Sequence, residues 1–273
     1  MVVGAGRVGL SLARALAQSG ASVVVAGRST RALPAPLGQV ELAWAPAIAA
    51  ANLVIISVPD DAITTVAGQL AATGAVTERH VVVHTSGLHD RSALAPLAVS
   101  GAALGSWHPL QTFADRDGDP GALPGSPAVV EGDPRALAAG RALAERLHLR
   151  PVIELPASGK AAYHAAAVFA SNYLVALADI AARLARDAGA GDASPGLFLP
   201  LMRRTLANYG AGGAATLTGP ISRGDAGTVA RHLESLSGVE RALYVALGRE
   251  ALRLARITGL DEPAANAVEA LLY

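Results

Sequence analysis

The chain has 273 residues, enough for one large domain or two smaller ones, and its 22 basic and 22 acidic side chains cancel, so no net field favours nucleic acid or an anionic membrane. It contains no cysteine, which excludes disulfides, thiolate catalysis and cysteine metal sites. Hydrophobic content is 52 %, carried by Ala, Val and Leu with few aromatics, a composition suited to tight helix packing.

The sequence opens Met1-Val2-Val3 and turns at once into Gly4-Ala5-Gly6-Arg7-Val8-Gly9. A helical pattern follows through Leu10, Leu12, Ala13 and Leu16, and then an apolar strand over 21–26. Gly-x-Gly-x-x-Gly between a strand and a helix is the context of a dinucleotide site. Gly4 allows the tight turn, Gly6 admits a pyrophosphate, Gly9 lets helix and strand approach, and the helix N-terminus offers free N–H groups to phosphate. With three residues before Gly4, the first strand is short for a central one, so the start of the chain is expected a few residues upstream. No basic stretch precedes an apolar segment, so no signal peptide is expected and the cytoplasm is the expected location.

An NAD site carries Asp or Glu at the end of the second strand. Here stand Gly27-Arg28-Ser29-Thr30-Arg31, with no carboxylate. Arg28 and Ser29 suit a 2′-phosphate, and the expected cofactor is NADP (as NADPH). The pattern then alternates. A helix is expected over 41–51, and a buried strand over 53–58 runs into Pro59-Asp60-Asp61, the aspartates capping the next helix. Val58 and Pro59 border the cofactor, because ligands sit beyond the carboxyl ends of such strands. The strand 80–84 leads to Thr85-Ser86-Gly87, where Ser86 either meets substrate or shapes the turn. The strand 103–106 leads to Trp107-His108-Pro109, where His108 either contacts a ligand or ends the strand. A Gly/Pro/Asp-rich loop over 114–126, a strand over 128–132, a helix from Asp133-Pro134 to Leu147 and a last strand over 151–155 complete the first half.

Beyond Pro156 the pattern is helical: 158–188, 195–209, 224–236, 239–258 and 263–271. The expected architecture is α/β, a Rossmann-type doubly wound parallel sheet in an N-terminal domain over 1–155, followed by an all-helical C-terminal domain over 156–273. Lys160, at the start of the first of these helices, is the only lysine in the chain; arginine stands everywhere else. Arginine cannot lose a proton near neutrality and lysine can when its surroundings lower its pKa, so a lone lysine on an Ala-rich helix points to proton transfer. His164 lies on the same helical face, roughly 6 Å along the axis, and Asn172 lies roughly 18 Å away, at most the far side of a pocket and otherwise a buried amide. Residues 161–178 lack formal charge but include His164, Ser171 and Asn172, which reads as a buried helix, not a membrane span. In the Gly-rich segment 216–225, Arg223 is a candidate for a carboxylate and Asp225 for a helix cap. The seven histidines are scattered, so a metal enzyme is not expected.

With these motifs the chain resembles, nearly end to end, the Rossmann-like proteins with a helical C-terminal domain catalogued as domain of unknown function 2520. The resemblance rests on the glycine turn, His84-Thr85-Ser86-Gly87, His108-Pro109-Leu110-Gln111-Thr112-Phe113, the segment 160–172, and 217–225. More distantly it is similar to the 6-phosphogluconate dehydrogenase-like group, which includes hydroxyacid dehydrogenases, ketopantoate reductases and pyrroline-5-carboxylate reductases. Hydroxyacid members pair a lysine with an amide four residues later; Lys160 matches, and His164 stands in place of the amide. The resemblance implies ketopantoate reduction in pantothenate synthesis as a candidate activity, and a homodimer built on the helical domain. The expected enzyme is an NADPH-dependent reductase of a small 2-oxo acid, with Lys160 and His164 catalytic and with Ser86, His108, Asn172 and Arg223 holding the carboxylate substrate. A cyclic imine reductase and a non-catalytic NADP-binding regulator are the alternatives.

Overall fold

Short, mostly apolar runs form the strands β1 (Val2–Val3), β2 (Val25–Ala26), β3 (Leu53–Ile56), β4 (Val81–His84), β5 (Ala103–Pro109), β6 (Ala128–Gly132) and β7 (Val152–Glu154). The computed structural model describes residues 1–190 and 195–273, and among these the strands build one sheet in the order β2-β1-β3-β4-β5-β6-β7. Strands β1 to β5 run parallel, β6 is antiparallel to β5, and β7 is parallel to β6. All of β4 and most of β3 are buried, as expected of central parallel strands covered on both faces.

Alternation along the strands divides the core into two layers. Val2, Ile55 and Val83 pack with Leu10, Leu12 and Leu16 of α1 (Arg7–Gln18) and Leu143 of α4 (Pro134–Arg146). Val3, Ile56 and Val82 pack with Ile48 of α2 (Trp44–Ala50), and with Ile63 and Leu70 of α3 (Ile63–Ala72). Trp107 is fully buried, and its indole N–H donates to the Gly140 carbonyl of α4 at 2.9 Å. The doubly wound sheet is thereby established. Its order reverses between β1 and β3, which opens a crevice at their carboxyl ends.

The chain divides into two compact units, Met1–Asn172 and Tyr173–Tyr273. The first unit thus runs past residue 155, where strands give way to helix, and includes α5 (Lys160–Ala170). After α6 (Asn172–Asp187) the second unit contains α7 (Leu199–Gly212), α8 (Ala226–Ser235), α9 (Gly238–Ile257) and α10 (Glu262–Leu272), with no strand among its described residues. Its core joins Val229 and Leu233 of α8, Leu252 of α9, and Ala265, Val268 and Leu272 of α10. Arg183 of α6 pairs with Glu240 of α9 at 2.7 Å.

Three elements differ from expectation. The strand expected over 21–26 is reduced to β2, because its partner β1 offers only the pairs Val2↔Val25 and Val3↔Ala26. The helix expected from Glu41 starts at Trp44, because Glu41 instead extends the sheet edge: its N–H donates to Val25 O at 2.8 Å. The helix expected over 158–188 breaks at Ser171 (φ −127°, ψ −74°). Ser and Asn offer the backbone competing hydrogen bonds and are poor helix-interior residues. The expected burial of this segment is also not met: along α5 only Lys160 is buried. Within residues 157–187 an 18-residue stretch has a mean hydropathy of 1.6, by length and composition alone apolar enough to cross a membrane.

Candidate active site

The glycine turn divides its labour by position. Gly4 has φ +114°, and a Cβ there would stand 2.1 Å from Ser57 O, so only glycine lets the end of β1 lie against the end of β3. A Cβ at Gly9 would stand 2.1 Å from Gly4 O, so α1 packs on the turn only through glycine. At Gly6 a Cβ would meet nothing within 4 Å, which leaves the turn open toward a ligand. Gly6 is also the N-cap of α1, with no side-chain cap and no acidic residue in the first turn, so its free N–H groups suit an anion.

That open face belongs to a cavity of about 600 Å³ at the β1/β3 switch point. Gly4, Ala5, Gly6, Arg28, Ser29, Val58 and Pro59 line it, as the sequence suggested; Arg7, Val8 and Gly9 stand behind it in α1. Arg31 and Trp44 line it too. The Arg31 guanidinium donates to Ala5 O at 2.7 Å, and the Trp44 indole to Gly27 O at 3.2 Å. Glu41, paired along the β2 edge, directs its carboxylate to the Ala43 N–H at 2.6 Å. The residues present therefore fit a dinucleotide with an extra phosphate on its adenosine side.

Lys160 is 1 % exposed. Its Nζ donates to Ser86 O at 3.0 Å and to Ser106 Oγ at 2.9 Å, joining the turn after β4 to β5 from beneath. Burial pushes its pKa down to about 8, against the opposing pull of Glu131, Asp90 and Asp60. The amine is thus buried under the turn and bonded to two protein oxygens. Glu131 faces Ser106 in the β5–β6 register, and burial raises its pKa although the Arg91 N–H donates to it at 2.7 Å.

The Ser86 hydroxyl is fully engaged. It donates to Asp60 Oδ2 at 2.9 Å and accepts from the Leu88 and His89 N–H groups at 3.1 and 3.0 Å, so it shapes the turn and has no bond left for substrate. Asp60 serves that bond, and the helix beginning at Ile63 has no side-chain cap. Asp133 likewise does not cap α4 with its side chain; it accepts from Leu104 N at 2.8 Å and pairs with Arg91. His84, fully buried, accepts the Ser86 N–H at Nδ1 (3.2 Å), which leaves Nε2 to donate to Asp90 O at 2.9 Å. Burial lowers its pKa to about 4.

Above the turn stand the imidazoles of His108 and His164. A Cβ on Gly87 would lie 2.7 Å from His164 Cδ2 and 3.1 Å from His108 Nε2, so the missing side chain is what admits both rings. His108 Nδ1 is 2.8 Å from the Tyr163 hydroxyl, and the rings meet edge-on at 5.7 Å. Burial, then the charge of Lys160 and of His164, lowers the pKa of His108 to about 4, while burial pushes Tyr163 up to about 12. His164 makes no hydrogen bond with the described residues.

Asn172 is exposed at the start of α6, so the buried-amide reading does not hold. Arg223 is exposed in the second unit, on the 3₁₀ turn Ile221–Arg223, and Asp225 caps α8 by accepting from Thr228 N at 3.0 Å. The sequence reading missed Ser106, Glu131 and Tyr163. Glu131 left a trace as the one charge in the apolar strand Ala128–Gly132, but its meeting with Ser106 depends on an antiparallel register that no local pattern declares.

Residues 1–109 match the Rossmann-like domain, and residues 126–251 match the domain of unknown function (DUF2520). No curated protein sequence matches the chain. Among solved structures, protein TM1727 from Thermotoga maritima is similar at 25 % identity and a TM-score of 0.65, over 94 % of this chain and 98 % of that one. An imine reductase of Streptomyces aurantiacus is similar at 19 % identity and a TM-score of 0.57, over 99 % of this chain and 92 % of that one. A pyrroline carboxylate reductase of Plasmodium falciparum, with NADP bound, is similar at 11 % identity and a TM-score of 0.56, over 99 % and 94 %. These likenesses are likenesses of fold. The chain joins a Rossmann-like domain to a domain of unknown function of the DUF2520 type.

Proposed function

We propose that the protein is an NADPH-dependent reductase of a small 2-oxo acid, with ketopantoate the first candidate. The observation that carries this reading is the cavity at the β1/β3 switch point, with Gly6 open beneath it and Arg28, Ser29 and Arg31 along its β2 side. Gly4 to Gly6 and the α1 N-terminus would hold the pyrophosphate, and Arg28 and Ser29 the 2′-phosphate. Bound NADPH would supply a hydride to the substrate carbon. The solved structures of similar fold include reductases, one with NADP bound.

The chain's own contribution lies at the ends of β4 and β5. A carbonyl gaining hydride builds negative charge on its oxygen, and fixed donors aimed there lower the barrier. We assign His108 and His164, against Gly87, to meet that oxygen: His108 donates a hydrogen bond and keeps its proton, and His164 relays a proton from solvent to the alkoxide as it forms. Lys160 acts indirectly: it bolts Ser86 O to Ser106 and so sets the floor on which both rings stand.

The second reading is reduction of a cyclic imine. An imine often arrives already protonated and so has less need of an acid side chain, which the burial of Lys160 accommodates. In either case we place the protein in the cytoplasm as a homodimer formed through its helical part, where Val175, Leu201, Leu206 and Tyr209 are exposed.

The test is NADPH oxidation against a panel of 2-oxo acids and cyclic imines. Turnover confined to one class chooses between the readings. NADPH binding with no turnover on either panel would reject both in favour of a non-catalytic binding protein.

A further inference from the structure

Tyr163 sits one residue before His164 on α5 and turns its hydroxyl to His108 Nδ1 at 2.8 Å. Two arrangements of protons satisfy that distance. If Nδ1 carried the proton, the phenol O–H and the Nε2 lone pair would both lack a protein partner. If the phenol donates to Nδ1, only the Nε2–H lacks one, since Nε2 makes no hydrogen bond among the described residues. The second arrangement leaves fewer polar groups unmet in a partly buried site, and it aims the unpaired N–H at the space beside Gly87.

We propose that Tyr163 is a positioning residue: by donating to His108 Nδ1 it fixes the imidazole as the Nε2–H tautomer and presents that N–H, beside Gly87, to the substrate atom that gains negative charge. The substrate clause rests on the reductase reading; the tautomer clause does not. The role is a hydrogen bond to developing charge, with no proton surrendered by His108. A neutral imidazole suits it, because a neutral ring keeps one nitrogen as donor and the other as acceptor, and so needs a partner to choose between them.

The groups facing His108 are Lys160, Tyr163 and His164 from α5 and Asp60 from the loop after β3. Lys160 and His164 oppose a positive charge on the ring, and burial opposes it more; Asp60 favours it. The phenol stays protonated through the neutral range, so the donor to Nδ1 is always loaded.

The experiment is long-range ¹H–¹⁵N spectroscopy on ¹⁵N-histidine-labelled protein with NADPH added, with His108 assigned by the signals lost in His108→Gln. The expected result is a neutral Nε2–H ring for His108 from pH 7.5 down to about 5. In Tyr163→Phe the tautomers should mix and the titration midpoint should rise. A wild-type ring protonated at Nδ1, or a tautomer unchanged in Tyr163→Phe, overturns the proposal. The wild-type spectrum decides the tautomer clause even if the variant does not fold. With a substrate in hand, Tyr163→Phe should lower kcat about 10-fold or more with KM little changed, a part of the about 10²–10³-fold that outright loss of such a donor costs. A correct tautomer in a protein that turns over neither panel would sink the reductase reading and leave the tautomer clause standing.

Discussion

His84 and His108 are both held neutral, with values pushed down to about 4 from the ordinary 6.5, chiefly by burial. Between those two pH values the unfolded chain binds protons that the folded chain refuses, so stability falls as pH drops from 6.5 toward 4 and levels off below. At 1.36 kcal/mol per unit, the pair is worth on the order of a few kcal/mol. Urea midpoints should therefore decline already between pH 6.5 and 5, before most carboxylates protonate; a flat profile there would mean that the rings are solvated. Lys160 has the same sign in a higher window. Its folded value of about 8 lies below the usual 10.5, so stability rises as pH climbs from 8 to 10.5. The lone lysine drew notice from composition alone, and its burial explains why arginine does not replace it: Arg cannot shed its charge when buried and is too broad a fork for a slot between Ser86 and Ser106.

The glycine turn allows fold and ligand effects to be separated. Gly9→Ala places a methyl against Gly4 O and should cost about 1–3 kcal/mol of stability. Gly6→Ala meets open space and should cost under about 1 kcal/mol, yet weaken NADPH binding about 10-fold or more. Thermal melts and fluorescence titration on the two variants check this; equal effects on both readouts would refute the division. These roles were legible in the sequence because a strand, three glycines and a helix are local in the chain. So were β3, β4 and β6, where apolar runs are unambiguous, and α4, which Pro134 starts. The shortness of β2 was not legible, because strand length depends on what the partner offers. Nor was the engagement of the Ser86 hydroxyl, which waits on Asp60 arriving from another loop. The role of Tyr163 is not legible for a related reason: a tyrosine on an Ala-rich helix declares no partner, and His108 is brought to it only by the end of β5.

Val175, Leu201, Leu206 and Tyr209 on α6 and α7 are large apolar side chains left exposed. If a second copy covers them, sedimentation should give twice the monomer mass at micromolar concentration, and the melting temperature should rise with protein concentration. Leu201→Arg combined with Leu206→Arg should yield monomers; a monomeric wild type would count against the proposed dimer. The neutral balance of charge neither helps nor hinders such pairing. The sealed position of Lys160 has a practical consequence. Because no other side chain in the sequence carries a primary amine, reductive alkylation by an aldehyde under conditions that spare the α-amino end will find no accessible amine until the floor beneath Gly87 lifts. The rate at which this one nitrogen becomes labelled is then a built-in stopwatch for the opening of the unit Met1–Asn172.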